Sequence, residues 1–242
     1  VVFETDDGLI SGNTVVNKGT IDTRDHGVGL LSDTGDISAN VIENSGDILS
    51  STNRGVYFET GSSGSITGNT VTNSGLIDAD DEAIELDANG VIAGNIITNT
   101  GTLISEDDDV IYIDSSDGDI VGNTITNGGR ITADSEDGID LSAGYSASGN
   151  IIVNTAEGTI DAYQNAIIVE AANGSASGNQ ISNEGVLIGR DDADDWDNGN
   201  GIVIGADAID DYDAVDGNVI TNSGTIAASN SGVLLYGGAP YF

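Results

Sequence analysis

Apolar positions in this chain recur in short bursts, and the bursts recur in register. One motif, apolar-x-Gly-Asn-x-apolar-x-Asn-x-Gly-x-Ile, is written eight times with local departures. Ile10 to Ile21 is the first clean copy. The second Asn of each copy falls at Asn17, Asn44, Asn73, Asn99, Asn127, Asn154, Asn183 and Asn222, spaced by 27, 29, 26, 28, 27, 29 and 39 residues. A fixed period of about 28 residues is the sequence signature of a solenoid.

Each copy contains three bursts. In the third copy they are Ile66-x-Gly68-Asn69-x-Val71-x-Asn73, then Gly75-Leu76-Ile77, then Ala83-Ile84-Glu85-Leu86. Period-two alternation bounded by Gly, Asn, Asp and Ser reads as strands, and no i, i+3, i+4, i+7 stripe appears anywhere. The pattern predicts an all-β chain: a right-handed parallel β-helix of about eight coils with three short strands per coil. The unbroken repeat predicts a single domain over residues 1–242.

Stacked coils demand columns of like residues, and the sequence supplies them. Two residues before each anchor Asn stand Val15, Ile42, Val71, Ile97, Ile125, Ile152, Ile181 and Ile220. The third burst contributes inward pairs from Val28/Leu30 through Val233/Leu235. A second Asn column, Asn13 to Asn218, lies four residues before the anchors. Identical Asn side chains in register form amide ladders, and Asn tolerates the left-handed backbone of a corner. A Gly two residues past seven of the eight anchors suggests the same freedom.

Charge changes the picture outside the core. Forty-one acids against five Lys and Arg give a net charge of −36. Such a surface excludes nucleic acid and anionic lipid as partners. No apolar run reaches membrane-spanning length, no signal-peptide pattern is expected in these residues, and the absence of Cys removes thiol and disulfide chemistry. Like charges in rows about 4.8 Å apart call for divalent cations or a high-salt medium. The acidic turns before the third burst are the first candidate Ca²⁺ site: Asp80, Asp81 and Glu82 in one coil, Asp107, Asp108 and Asp109 in the next, then Asp134 and Asp137. A solvated acidic edge is the plainer reading. The long seventh coil is the second candidate. Its extra residues fall in two loops, 190–200 and 207–216. The first carries Asp191, Asp192, Asp194, Asp195 and Asp197 around Trp196, an oxygen-rich set suited to Ca²⁺ but without EF-hand spacing.

A catalytic reading has one location. His26, Arg54 and Glu82 should be neighbours in one turn column, a base, a cation and an acid in a row. The same row continues as Asp109, Asp137, Asn165, Asn200 and Ser231, which reads equally as a polar turn column. The ends match the third burst: Val2-Phe3-Glu4-Thr5 resembles Tyr57-Phe58-Glu59-Thr60, and the chain finishes near Val233-Leu234-Leu235-Tyr236 with Tyr241 and Phe242 beyond. This arrangement predicts continuation end to end, in further repeats or in other copies of the chain.

The repeated Gly-Asn-x-x-x-Asn-x-Gly-x-Ile resembles the repeats of right-handed parallel β-helix proteins, in particular autotransporter passenger regions and filamentous-haemagglutinin-like adhesins. The resemblance implies an extracellular location and a non-enzymatic structural or adhesive role in a bacterial surface fibre, layer or adhesin, with surface polysaccharide as a partner. Polysaccharide-processing enzymes and phage tailspikes share the architecture and supply the alternative.

Overall fold

A computed structural model describes residues 1–191, 198–206 and 214–238. The described residues form only strands, turns and bends, and no helix is long and apolar enough to cross a membrane. The chain winds as a parallel β-solenoid with four strands in each complete coil. In one coil these are Val56–Thr60, Ile66–Thr67, Thr70–Asn73 and Leu76–Ala79, after which Ile84–Ala88 resumes the first position. Each strand pairs in parallel with its equivalents one coil away, giving four sheets named I to IV in that order. Among the described residues sheet I has nine strands and the others eight each.

The fourth sheet corrects the expectation of three strands per coil. The burst Ile66 to Asn73 is two strands, not one, because Gly68 sits at φ 63° and turns the chain between sheets II and III. That column of residues has φ between 62° and 67° wherever it is Gly. The left-handed residue is therefore the one before each Asn rather than the Asn itself. Ala39 occupies the column in the second coil at φ 54°. A Cβ there costs roughly 1–2 kcal/mol, partly offset by the unfolded-state entropy that Ala restricts. Ala39→Gly is accordingly expected to raise stability by about 0.5–1 kcal/mol. Chemical denaturation measures it, and a loss of stability would show the corner is not strained.

The glycines after the anchors act differently. A Cβ on Gly46 would lie 1.9 Å from the Gly19 carbonyl oxygen, and one on Gly75 2.0 Å from that of Gly46. Close passage of stacked backbones, not left-handed φ, requires Gly there. The sixth coil obeys the same rule: Gly158, after the two extra residues, accepts from Val186 N and restores the column.

The core is the interior of the coil. Every inward pair of sheet I from Val28/Leu30 to Ile202/Ile204 is fully buried, as is the Ile42-to-Ile181 column of sheet III. Phe3 pairs with Leu30, which pairs with Phe58, so the first segment joins the stack as the sequence match indicates. At the far end Tyr236 reaches back along sheet I and hydrogen-bonds Glu170 two coils away. Gly205 makes that possible, since a Cβ there would meet the Tyr236 ring. Ile125 is 1% exposed while its neighbour Thr126 faces outward. Ile125→Asn is expected to cost at least about 2 kcal/mol more than Thr126→Asn, because it buries an amide without partners. Equal melting temperatures would place the strand in the wrong register.

Both Asn columns are continuous ladders. In the corner column Asn40 Oδ1 accepts from Asn13 N at 2.9 Å and from Asn13 Nδ2 at 3.0 Å, while Asn40 Nδ2 donates back to Ile10 O. The pattern repeats to Asn218. In the anchor column each Nδ2 donates to the next Oδ1 at 2.7 to 2.9 Å and also to two carbonyls flanking the turn into sheet IV. A buried polar group must be paired, and the amide, with both donor and acceptor, pairs in both directions along the axis.

Candidate functional site

Acidic groups gather along one side of the solenoid: the turn entering sheet I and the outward face of sheet I itself. The turns stack as expected. Asp107 N donates to Asp80 O, Gly55 N to Glu82 O and Gly27 N to Arg54 O. His26, Arg54, Glu82, Asp109, Asp137, Asn165, Asn200 and Ser231 thus form one column.

Stacking divides the candidate metal ligands into two kinds. Asp107 and Asp134 are exposed, and Asp80, Asp81 and Asp108 are half-buried turn tips. Glu82, Asp109 and Asp137 are buried, at 2%, 8% and 7% exposure. Among the described residues no three acidic or imidazole groups are arranged to hold a metal ion. Asp191 is half-buried beside the insertion. Asp192, Asp194, Asp195, Asp197 and Trp196 lie outside the described residues, as does most of the 207–216 loop and the segment holding Tyr241 and Phe242.

The buried acids occupy ladder positions. Asn200 donates through both N and Nδ2 to Asn165 Oδ1, at 3.0 and 2.9 Å. One coil earlier Asn165 N donates to Asp137 Oδ1 at 2.6 Å, and earlier still Asp137 N donates to Asp109 Oδ1 at 2.7 Å. Asp109 and Asp137 therefore do what Asn165 does with its acceptor atom. They lack its donor unless protonated. Burial raises the Asp109 carboxyl far above the usual range, and the neighbouring Asp137 raises it further. Burial likewise raises Asp137, against the hydrogen bond from Asn165.

Beside this column the outward face of sheet I stacks Tyr57, Glu85, Tyr112, Asp140 and Ile168. Glu85 is 3% exposed between two tyrosines. Burial, then Glu82, pushes its carboxyl well up. Asp140 Oδ1 is out of solvent without a hydrogen-bond partner, and burial raises that carboxyl well above the ordinary range. In the next outward column Asp87, stacked between Glu59 and Asp114, is pushed up to about 6 by burial and then by Asp114. A desolvated carboxylate next to another is disfavoured twice, and a proton is the simplest neutraliser.

Arg54 closes one end of this strip. Its Nε pairs with Glu82 Oε2 at 2.9 Å and with Glu85, and its guanidinium lies 4.8 Å over the Tyr57 ring. Although burial opposes its charge, Glu85 and Glu82 keep it protonated. His26 rests against the same ring at 4.8 Å, with Asp25 at 3.5 Å. Burial lowers its pKa. The His26–Arg54–Glu82 row exists, but its cation is tied up by two carboxylates. Surface hollows of about 300, 200 and 380 Å³ are lined by residues such as Leu31, Leu49 and Ile188, not by Glu82, Glu85, Asp109 or Asp137.

Two features escape the motif. Glu85, Tyr112 and Asp140 lie between inward apolar pairs, and aligning the third bursts finds them as the outward column. Asp161, which receives Arg130 at 3.4 Å and also Arg190, lies outward on sheet IV and had no marker beyond its burst. No protein-family model, no curated protein and no solved structure matches this chain.

Proposed function

We propose that the chain is a non-enzymatic structural or adhesive element, working outside the cell as a stiff rod that presents long regular faces. The observation that carries this reading is how its polar columns are used. Both Asn ladders and the turn column spend their hydrogen bonds on stacking one coil onto the next. Side chains engaged along the axis stiffen a rod and leave few groups converging on a substrate. The resemblance to adhesin and autotransporter repeats supports a bacterial surface fibre or layer. The same reading makes surface polysaccharide a ligand rather than a substrate. Incubation with neutral and uronate polysaccharides, followed by reducing-end and unsaturated-product assays, is expected to show no turnover. Turnover lost in Glu85→Gln would instead establish the polysaccharide-processing alternative, whose support is the raised carboxyl of Glu85 beside Arg54 and Tyr57.

Cation screening completes the proposal. The exposed turn acids, with Asp191, form a diffuse oxygen-rich surface suited to Ca²⁺. Ligand bound only by the folded state raises its stability by mass action. Melting in millimolar Ca²⁺ is expected to lie above melting in EGTA, with Mg²⁺ less effective. Coincident curves would leave plain solvation of the acidic edge.

A further inference from the structure

Sheet III is the anomaly of this surface. Its eight strands expose sixteen outward positions, and Glu43 is the only charged residue among them. At the chain-wide charged fraction of 19%, about three would be expected, and outward positions should hold more than the average. The outward columns are instead Thr, Val, Ile, Ser and Gln, as in Thr70/Thr72, Ile96/Thr98 and Thr124/Thr126. Sheet I carries Glu4, Glu59, Glu85, Asp87, Asp114, Asp140 and Glu170 on its outward face.

Exposed apolar side chains also stand on this sheet. Ile96 is 46% exposed, Ile151 36% and Val219 55% on sheet III, and Val121 37% adjoins them on sheet II. Isolated exposed apolar residues are ordinary. Here Ile96, Ile151 and Val219 share one column, alternating with Thr124 and Gln180, on the sheet from which charge is missing.

We propose that sheet III is a lateral docking face for a second copy of this chain, paired face to face about a twofold axis. Three observations select that occupant. The first is charge: each copy carries −36, so two copies approach most easily through the sheet that carries almost none of it. Sheets II and IV separate sheet III from sheet I within each coil, so such a pair keeps the two acidic faces outermost. A screening length of about 8 Å at physiological salt then suppresses repulsion between them. The second is self-complementarity. A twofold contact uses one patch twice, and rows of β-branched side chains repeating every ~4.8 Å match an identical set of rows. The third is area. Eight strands of four residues cover roughly 38 by 13 Å, so a pair buries on the order of 1,000 Å², the lower end for a specific contact. The association is therefore weak and reads out at high protein concentration.

Sedimentation equilibrium across protein concentration, at low and high NaCl, tests this on the whole chain. A monomer–dimer equilibrium strengthened by salt is expected. The double variant Ile96→Lys/Ile151→Lys should remain monomeric at concentrations where the wild type pairs, with circular dichroism and melting unchanged, since both side chains point outward. Ser142→Lys, outward on sheet I, should pair as the wild type does. A wild type that stays monomeric throughout overturns the proposal, as does a double variant that pairs normally. Open-ended growth would assign the contact to coil ends, and retention on an insoluble polysaccharide without self-association would assign the face to a saccharide; either overturns it too.

Discussion

Asn123→Ala is expected to destabilise the protein by about 3–5 kcal/mol, the largest effect of any single polar substitution on its surface or in its corners. Asn123 is 1% exposed in the corner ladder. Its Oδ1 accepts from Asn95 N at 2.9 Å and Asn95 Nδ2 at 3.0 Å, and its Nδ2 donates to Ile92 O and Asn150 Oδ1. Asn150 Oδ1 keeps a donor in the Asn123 backbone N–H. The Asn95 backbone N–H and the Asn95 Nδ2 hydrogen that points at Asn123 lose theirs, although Nδ2 still donates to Ile66 O and Ile92 O keeps its place in the sheet II ladder. Each buried group left without a partner costs about 1–3 kcal/mol. In a solenoid the loss also falls on a nearest-neighbour interface, the quantity that holds one coil to the next. Thr124→Ala, one residue away and half-buried, should stay within about 0.5 kcal/mol. Urea denaturation compares them, and a difference below about 1 kcal/mol would mean the ladder adds little.

The second large effect has the opposite sign. Asp109→Asn with Asp137→Asn is expected to stabilise the protein at neutral pH by about 2 kcal/mol or more. Each Asn would keep the acceptor for the next backbone N–H and add the donor that Asn165 already uses. The wild-type dependence on pH follows from the same groups. Asp109, Asp137, Glu85 and Asp87 all bind protons more tightly folded than unfolded. The unfolded state therefore carries fewer protons, and stability falls as pH rises. The contribution is full below about pH 4, where free carboxyls protonate. It declines through the Asp87 value of about 6 and onward past neutrality. The double variant should lose only part of that slope, because Asp140 and Glu136 face the pair and keep raised carboxyls, while Asp108 and Glu170 lie close enough to repel. Thermal melts from acid to neutral pH measure both proteins. A double variant less stable than the wild type at neutral pH would show that these carboxylates serve something an amide cannot.

Much of this architecture was legible in the sequence because a solenoid repeats its chemistry at every coil. The Ile125 column and the Val28/Leu30 series marked the core, except at the ends, where Val233 and Leu235 of the last coil are exposed and Val15 and Ile220 are only partly buried. The Asn columns were legible as ladders for the same reason. What the period could not show was backbone angle. The Gly68 corner reads as part of a strand because Gly is compatible with either conformation, so sheets II and III merged into one expected strand. The acidic turns were visible as composition, yet a row of acids does not distinguish carboxylates facing water from carboxylates facing one another. That distinction needs the third dimension: Asp107 and Asp109 are two residues apart, one exposed and one buried. Asn165 and Asn200 in the same column were the available clue, since they show which hydrogen bonds the position demands.

If the buried acids of the turn column are rungs of a ladder held by protons, rather than free ligands of a cation or catalyst, their side-chain titration will show it. Carbon-13 NMR of the Asp side-chain carboxyls, assigned through the Asp109→Asn and Asp137→Asn variants and followed across pH, tests it most directly. The ladder predicts that at least one of the two carboxyls stays protonated well above pH 4 and that millimolar Ca²⁺ does not displace the proton. Both carboxyls ionising together near pH 4, or both shifting on addition of Ca²⁺, would contradict it.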